Sequence, residues 1–256
     1  MRIASWNVNS IRMRRERVLA FLERENVDVL CLQELKVTDK DFPATDFEAA
    51  GYRCVVHGQK TYNGVAILSR LEPQDVVTGL GDGVEDEQAR LTAATIGGVR
   101  VFSVYVPNGQ EVGSEKWDYK REWLGRFRKH LDARHDPSQL VAVCGDFNVA
   151  PEARDVYDPG MWAETVLFHP LARESLAGLT SWGLVDTFRL HDQSGGKYSW
   201  WDYRMLAFPK NLGVRIDFVF ASRSLAELCS GAWIVRDERK GPQPSDHAPV
   251  MAEFKV

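Results

Sequence analysis

The sequence predicts an α/β sandwich in which two mostly antiparallel sheets pack face to face with helices outside. Three observations lead there. The chain opens as strand–helix–strand, its middle is dense in hairpin signals, and short apolar runs alternate with amphipathic stretches to the end. No linker or low-complexity segment divides the 256 residues, so one domain over 1–256 is expected.

Arg2–Val8 reads as the first strand. A helix follows over Ser10–Asn26, with Ser10 as its expected cap and Ile11, Val18, Leu19 and Leu22 at helical spacing. Val27–Gln33 is too apolar to be a surface strand. Asn63-Gly64 precedes the apolar run Val65–Leu68. Gly97-Gly98 joins Leu91–Ile96 to Val99–Val106 as a two-residue hairpin turn. Trp117, Leu124, Phe127 and Leu131 mark a helix over Lys116–Leu131. Leu140–Cys144 is another buried strand, Leu171–Trp182 a third helix, and strands near Arg215–Ala221 and Pro249–Phe254 finish the chain. A weak echo of strand–helix–strand in each half hints at pseudo-symmetry.

Hydrophobic residues make up 44% of the chain and charged residues 27%, which suits a folded globule and excludes disorder. The formal net charge of −4 is not the footprint of a protein that coats nucleic acid passively. It leaves room for a local basic face around an acidic, metal-binding centre. No run of 18 apolar residues is present, so no membrane partner is expected. The first residues lack the regions of a signal peptide, and a cytoplasmic location is expected. Cys31, Cys54, Cys144 and Cys229 form no Cys-x-x-Cys pair and read as reduced thiols.

The informative anomaly is that apolar strands end abruptly in carboxylates or amides. Asn7 and Asn9, Gln33-Glu34, Asp146 and Asn148, Asp217, and Asp246-His247 all stand at such places. A single acid there is usually a turn former or a cap. Buried unpaired charge costs several kcal/mol, so such groups must be paired or bind a metal, and five cases call for a common cause: if the five ends lie along one edge of the sandwich, they form one acidic cluster. Asn7, Glu34, Asp146, Asn148 and Asp246 offer oxygen and His247 one imidazole. Oxygen-dominated ligands favour Mg²⁺ or Mn²⁺.

Trp6-Asn7-Val8-Asn9, Leu32-Gln33-Glu34-Leu35-Lys36, Tyr62-Asn63-Gly64-Val65, Tyr105-Val106-Pro107-Asn108-Gly109, Gly145-Asp146-Phe147-Asn148, Ser181–Thr187, Trp201-Asp202-Tyr203-Arg204, Arg215-Ile216-Asp217 and Ser245-Asp246-His247-Ala248-Pro249 stand in the order of the exonuclease III family of DNA-repair nucleases. The chain resembles that family over its whole length. The resemblance implies the DNase I-like four-layer α/β sandwich and Mg²⁺-dependent hydrolysis of DNA phosphodiesters at abasic sites or 3′ ends, with Mn²⁺ able to substitute. It implies a monomer acting on double-stranded DNA with abasic sites or with blocked or recessed 3′ ends.

By that resemblance Glu34 is the main metal ligand, with Asn7 beside it and Asp246 holding the ion through water or at a second position. Asp146 orients and deprotonates the attacking water, and Asn148 donates to the phosphate. His247 contacts a non-bridging oxygen and pairs with Asp217, while Tyr105 donates its hydroxyl near the phosphate. An Asp217–His247 pair is a second candidate for the base. Lys36 is placed to reach a phosphate, and Tyr62, Asn63 and Gly64 form a turn that offers backbone N–H groups to phosphates. Trp200, Trp201 and Ile216 match positions that form an apolar pocket for an extruded abasic sugar. The other histidines, His57, His130, His135, His169 and His191, read as surface or packing residues. Met161–Arg173 departs from the family, and its bulky Phe168 and His169 are expected to limit how far an internal strand enters.

Two other readings use the same residues. One keeps the metal site but acts on an RNA 3′ end, a phospholipid or an inositol phosphate. The other is a non-catalytic DNA-binding protein, against which Glu34, Asp146, Asn148, Asp217 and His247 all argue by being present together.

Overall fold

The computed structural model describes residues 1–256. Its strands are β1 Arg2–Asn7, β2 Val29–Gln33, β3 Arg53–His57, β4 Val65–Ser69, β5 Gln74–Thr78, β6 Leu91–Ile96, β7 Val99–Tyr105, β8 Val141–Asp146, β9 Leu184–Asp186, β10 Asp217–Ser222, β11 Cys229–Ile234 and β12 Val250–Phe254. They form two six-stranded sheets in the orders β11-β12-β1-β2-β4-β3 and β5-β6-β7-β8-β10-β9. Each sheet holds one parallel pair, β1 with β2 and β7 with β8, and is otherwise antiparallel. The helix Ile11–Glu25 makes the first parallel crossover and the helix Glu115–Arg134 the second. The pseudo-symmetry hinted at by the sequence is this repeated strand–helix–strand unit.

Strand alternation builds the layers. Ile3, Cys31 and Ile67 of the first sheet meet Val101, Cys144 and Val219 of the second in the central core. The intervening residues face outward. Trp6, Leu30 and Leu32 pack against Val18, Phe21 and Leu22 of the first helix. Phe102, Val143 and Phe220 pack against Trp123, Phe127 and Leu131 of the long helix, joined by Leu176 and Leu179 of the helix Pro170–Thr180. The result is a four-layer α/β sandwich.

Followed along the inward-facing positions, polarity rises toward one end. On β1 the series is Ile3, Ser5, Asn7; on β2 it is Val29, Cys31, Gln33; on β7 it is Val101, Ser103, Tyr105; on β8 it is Ala142, Cys144, Asp146. The middle step is neutral and self-satisfied. Ser5 Oγ donates to Gln33 Oε1 at 3.3 Å, and Gln33 Nε2 donates to Ser103 Oγ at 3.2 Å. Charge therefore accumulates at one rim of the cleft between the sheets.

Ser10 does not cap its helix. It sits at φ 90° with no side-chain bond to the first turn. The backbone N–H groups of Ser10 and Ile11 donate instead to the carbonyls of Glu34 and Leu35, at 2.8 and 3.1 Å. These bonds satisfy helix-start donors and tie them to the loop carrying Glu34. The predicted Gly97-Gly98 hairpin is present, with both glycines at positive φ and Ile96 paired with Val99.

Gly145 is required by the parallel β7–β8 pairing. A Cβ there would lie 2.0 Å from the Val104 carbonyl oxygen. Gly145→Ala is expected to lower the unfolding free energy by about 2–3 kcal/mol, the cost of forcing atoms into a packed interior. Urea denaturation checks this, and unchanged stability would mean that the two strands are not so closely apposed.

Candidate active site

The polar rim is where the ends of β1, β2, β7 and β8 meet the start of β10 and the turn before β12. Asp146 is cross-strand partner to both Tyr105 and Asp217, so three polar side chains are placed together by register alone. Asp146 is 1% exposed. Its Oδ2 accepts from Asn7 Nδ2 at 2.9 Å, and its Oδ1 accepts from the Asn148 backbone N–H at 2.9 Å. Burial, followed by repulsion from Asp217, pushes its carboxyl up to about 7.

Glu34 stands on the next strand end. Its Oε1 accepts from Asn7 Nδ2 at 2.8 Å and from the Tyr105 hydroxyl at 3.0 Å, and its Oε2 faces Lys36 Nζ at 3.0 Å. Burial, with Glu34 and Asp146 nearby, holds the Tyr105 hydroxyl well above its ordinary range, so it stays a proton donor. His247 Nδ1 lies 2.9 Å from Asp217 Oδ2, and its Nε2 lies 3.8 Å from Asp146 Oδ2. Burial opposes charge on the imidazole, but Asp217 and Asp146 outweigh it and raise His247 to about 10. The ring is thus an imidazolium at neutral pH, with Nδ1–H held by Asp217 and Nε2–H directed to the cleft.

The loops around these groups are held in a sparsely populated backbone region. Asn9, Ser10, Glu34, Lys36 and Asn148 have φ of 45°, 90°, 53°, 57° and 51°. Each costs on the order of 1–3 kcal/mol and persists because the surrounding bonds impose it.

The structure brings Asn7, Glu34, Tyr105, Asp146, Asn148, Asp217 and His247 together, and several expected roles change in detail. Asn7 turns its NH₂ toward both carboxylates, while its oxygen accepts the Asn9 backbone N–H at 3.0 Å. It positions the carboxylates and does not offer them a further oxygen. Asp246 has both oxygens engaged, Oδ1 by Asn9 Nδ2 at 2.9 Å and Oδ2 by Trp200 Nε1 at 3.0 Å. Burial alone would raise its carboxyl, yet His247 and those two donors hold it below the usual range. Asn148 donates one N–H to the Val106 carbonyl at 3.0 Å and accepts from Asn108 at 2.9 Å, leaving one N–H for a ligand.

Lys36 is half-buried against Glu34 and Asn9. The turn at Tyr62, Asn63 and Gly64 lies beside it, since the Lys36 N–H donates to the Asn63 carbonyl at 3.0 Å. Of the three N–H groups expected to cradle phosphates, those of Tyr62 and Gly64 already donate to the carbonyls of Lys60 and Ala89, and that of Asn63 makes no backbone bond. Tyr62 is instead exposed as a ring, at 67%. Trp201 needs correction as a pocket residue. It is fully buried beneath the site, its ring 5.2 Å from Phe208 and its indole N–H donating to Asn211. Trp200 and Ile216 do adjoin one apolar cluster, but Phe168 is also buried in it, together with Val156 and Val214.

Sequence reasoning assigned no role to four residues that support the site. Ser199 Oγ, fully buried, donates to Asp217 Oδ2 at 2.6 Å and accepts the Ile216 and Asp217 N–H groups. Asn9 bridges Asp246 and Lys36. Asn108 supports Asn148. Lys120 is fully buried and donates to the carbonyls of Asn108, Asn148 and Val166 at 3.0, 2.7 and 2.6 Å. Burial pushes its amine down to about 7. Lys120 had a signal, because it interrupts the apolar stripe of Trp117, Leu124, Phe127 and Leu131. Ser199 had none.

One ligand atom from each of Glu34, Asp146 and His247 falls within 4.8 Å of the others. Two converging carboxylates, one of them raised by burial and then by the neighbouring Asp217, fit a hard divalent cation. Glu34, Asp146 and His247 are the ligand-bearing side chains this geometry brings together. Asp246 lies outside this group.

The profile of the Endonuclease/Exonuclease/phosphatase family matches residues 4–247. The chain belongs to that family. Among relatives of this nuclease, exodeoxyribonuclease III of Haemophilus influenzae is 36% identical, with all of both chains covered. The structure of an AP endonuclease from Archaeoglobus fulgidus superposes with a TM-score of 0.95 at 40% identity, covering all of both chains. A Neisseria 3′ phosphatase bound to a product DNA hairpin superposes with a TM-score of 0.96, also at 40% identity and full coverage. The nuclease is of the exonuclease III type.

Asp217→Asn is expected to lower the His247 pKa by more than one unit, because it removes the carboxylate that favours the imidazolium. The raised value favours the folded, cation-free protein below about pH 6.5, the ordinary histidine value, and that contribution is lost as pH rises toward 10. The variant should therefore show a smaller loss of stability across that window. An NMR titration of the imidazole, with thermal melts at pH 6 to 9.5, measures both. An unshifted His247 would mean that Asp217 does not set its charge.

Proposed function

We propose that this nuclease hydrolyses phosphoester bonds of double-stranded DNA at 3′ ends and abasic sites, as a monomer, with Mg²⁺ or Mn²⁺ at Glu34 and Asp146. The observation that carries the reading is the convergence of Glu34, Asp146 and His247 at one rim, one ligand atom of each within 4.8 Å of the others. Bound there, the divalent ion would offset the negative charge that builds on the phosphate oxygens. Asp146, beside the ion, orients an attacking water and takes its proton. His247, held protonated by Asp217, donates Nε2–H to a non-bridging oxygen. This charge disfavours the Asp217–His247 pair as the base. The free N–H of Asn148 and the hydroxyl of Tyr105 face the same phosphate, and Lys36 and Tyr62 flank the path of the strand.

Asp146→Asn and His247→Asn are each expected to cut turnover by several orders of magnitude while leaving DNA affinity within about tenfold, because both act in the transition state. EDTA should abolish turnover. Cleavage of a 3′-end-labelled duplex, run beside a phosphoinositide and an RNA 3′ end, checks activity and substrate class together. Equal losses of binding and turnover would move the two residues to substrate grip, and chelator-resistant activity would contradict the mechanism.

Phe168 bears on the balance of activities. It is 5% exposed within the apolar cluster of Ile216 and Trp200, and the Arg173 guanidinium lies 4.8 Å over its ring. It fills space that an extruded abasic sugar would need, which favours 3′-end processing over internal incision. Phe168→Ala should raise internal abasic-site incision at least several-fold relative to 3′-phosphate removal, measured in parallel on matched duplexes. An unchanged ratio would remove Phe168 from any role in selection.

A further inference from the structure

At the end of the sandwich away from the catalytic rim, a second polar cavity of about 660 Å³ opens between the β6–β7 hairpin, the last turn of the helix Glu115–Arg134 and the start of β8. Arg100, His130, Arg134 and His135 line it. Arg100 begins the strand that Tyr105 ends. Five residues of extended chain separate them by about 17 Å, so this is not part of the catalytic centre.

Four basic side chains face one acidic one, Asp75, which also lines the cavity. Arg100 spends one nitrogen on the Asp75 backbone carbonyl at 2.7 Å and the Thr95 hydroxyl at 3.4 Å, while its Nε is buried and unpartnered. Asp75 accepts with its backbone oxygen, and its carboxylate is near enough to favour the charge of Arg100 without hydrogen-bonding to it. Arg134 donates to the Gly81 carbonyl at 2.8 Å and is otherwise exposed. His130 is 5% exposed. Its Nδ1 donates to the Leu80 carbonyl at 2.7 Å, which leaves Nε2 as a lone pair, buried without a partner. His135 stacks near it at 5.8 Å, and both rings flank Phe102. Burial and the two guanidiniums hold both imidazoles neutral.

A buried lone pair beside two guanidiniums that bond only neutral oxygens is an unusual demand on a ligand. It needs an oxyanion that also carries a proton. Inorganic phosphate meets it near neutral pH, since its oxyanions suit arginine and its dianion keeps one P–OH to donate to Nε2, and a phosphate monoester meets it as its monoanion, the main form below about pH 6. Phosphodiesters and sulfate lack that proton. We infer that the cavity formed by Arg100, His130, Arg134 and His135 is a binding site for inorganic phosphate or a phosphate monoester, separate from the catalytic centre.

The test is an NMR titration of the histidine side chains of the full-length, magnesium-loaded protein, at constant ionic strength. The probes are inorganic phosphate, 2′-deoxyadenosine 5′-monophosphate and sulfate. His130 and His135 should shift saturably with at least one of the two phosphates, and the tighter of them identifies the source. Sulfate should bind at least fivefold more weakly. Arg134→Gln, at an exposed position, should weaken binding about tenfold, as should Arg100→Met, while cleavage of DNA stays unchanged. The absence of a saturable shift with either phosphate would overturn the site, as would equal affinity for sulfate or full affinity in Arg134→Gln.

Discussion

Asp146 is a carboxylate kept out of water between two β-sheets, and the arrangement of the site follows from the cost of keeping it there. Its cross-strand neighbour is another carboxylate, Asp217. Two buried acids side by side would disrupt the fold unless positive charge or donors were brought to them. His247 lies between them, Asn7 donates to one, and Ser199 donates to the other. The residual imbalance, felt as the raised carboxyl of Asp146, is what makes the rim receptive to a cation and to an anionic substrate held by that cation. A structural liability and a catalytic property are here the same electrostatic fact.

The sandwich makes this placement possible through the period of a β-strand. Every second residue of β1, β2, β7, β8 and β10 faces the partner sheet, so a carboxylate on an inward position is automatically deep and automatically opposite other strand ends. The intermediate layer of Ser5, Gln33 and Ser103 separates charge from the apolar core with internally paired groups. The backbone carries its share. Glu34 sits in left-handed conformation, and its carbonyl accepts the N–H that opens the first helix. That ties the geometry of one cation ligand to the packing of a whole layer. Lys120 does comparable work on the other side, drawing Asn108, Asn148 and Val166 onto one ammonium. The groups of the site are thus held by hydrogen bonds from several layers of the fold.

Much of this was legible from the chain, for a physical reason. Central strands and core-facing helices must be apolar on defined periods, and those were the elements read. The four strands not anticipated, β3, β5, β9 and β11, are the four edges of the two sheets. β5 shows the cause: its residues are mostly exposed and carry no core-facing pattern. The polar strand ends betrayed the catalytic rim because burial punishes charge that has no purpose. Positions whose chemistry is ordinary stayed hidden. Ser199 looks like any serine, and the burial of Trp201 beneath the site could not be told from the exposure of its neighbour Trp200. Ser10 had the composition of a cap without the role, since the helix start found backbone carbonyls instead. Gly64 was read as a phosphate cradle, but its N–H serves Ala89.

The central claim is that Glu34 and Asp146 together hold a divalent cation beneath the scissile phosphate. Anomalous diffraction from crystals soaked in Mn²⁺ tests it most directly. One ordered peak is predicted, about 2.0–2.3 Å from a carboxylate oxygen of Glu34 and within reach of Asp146, and absent in Glu34→Gln. Manganese bound elsewhere, with Glu34 and Asp146 free of it, would contradict the account.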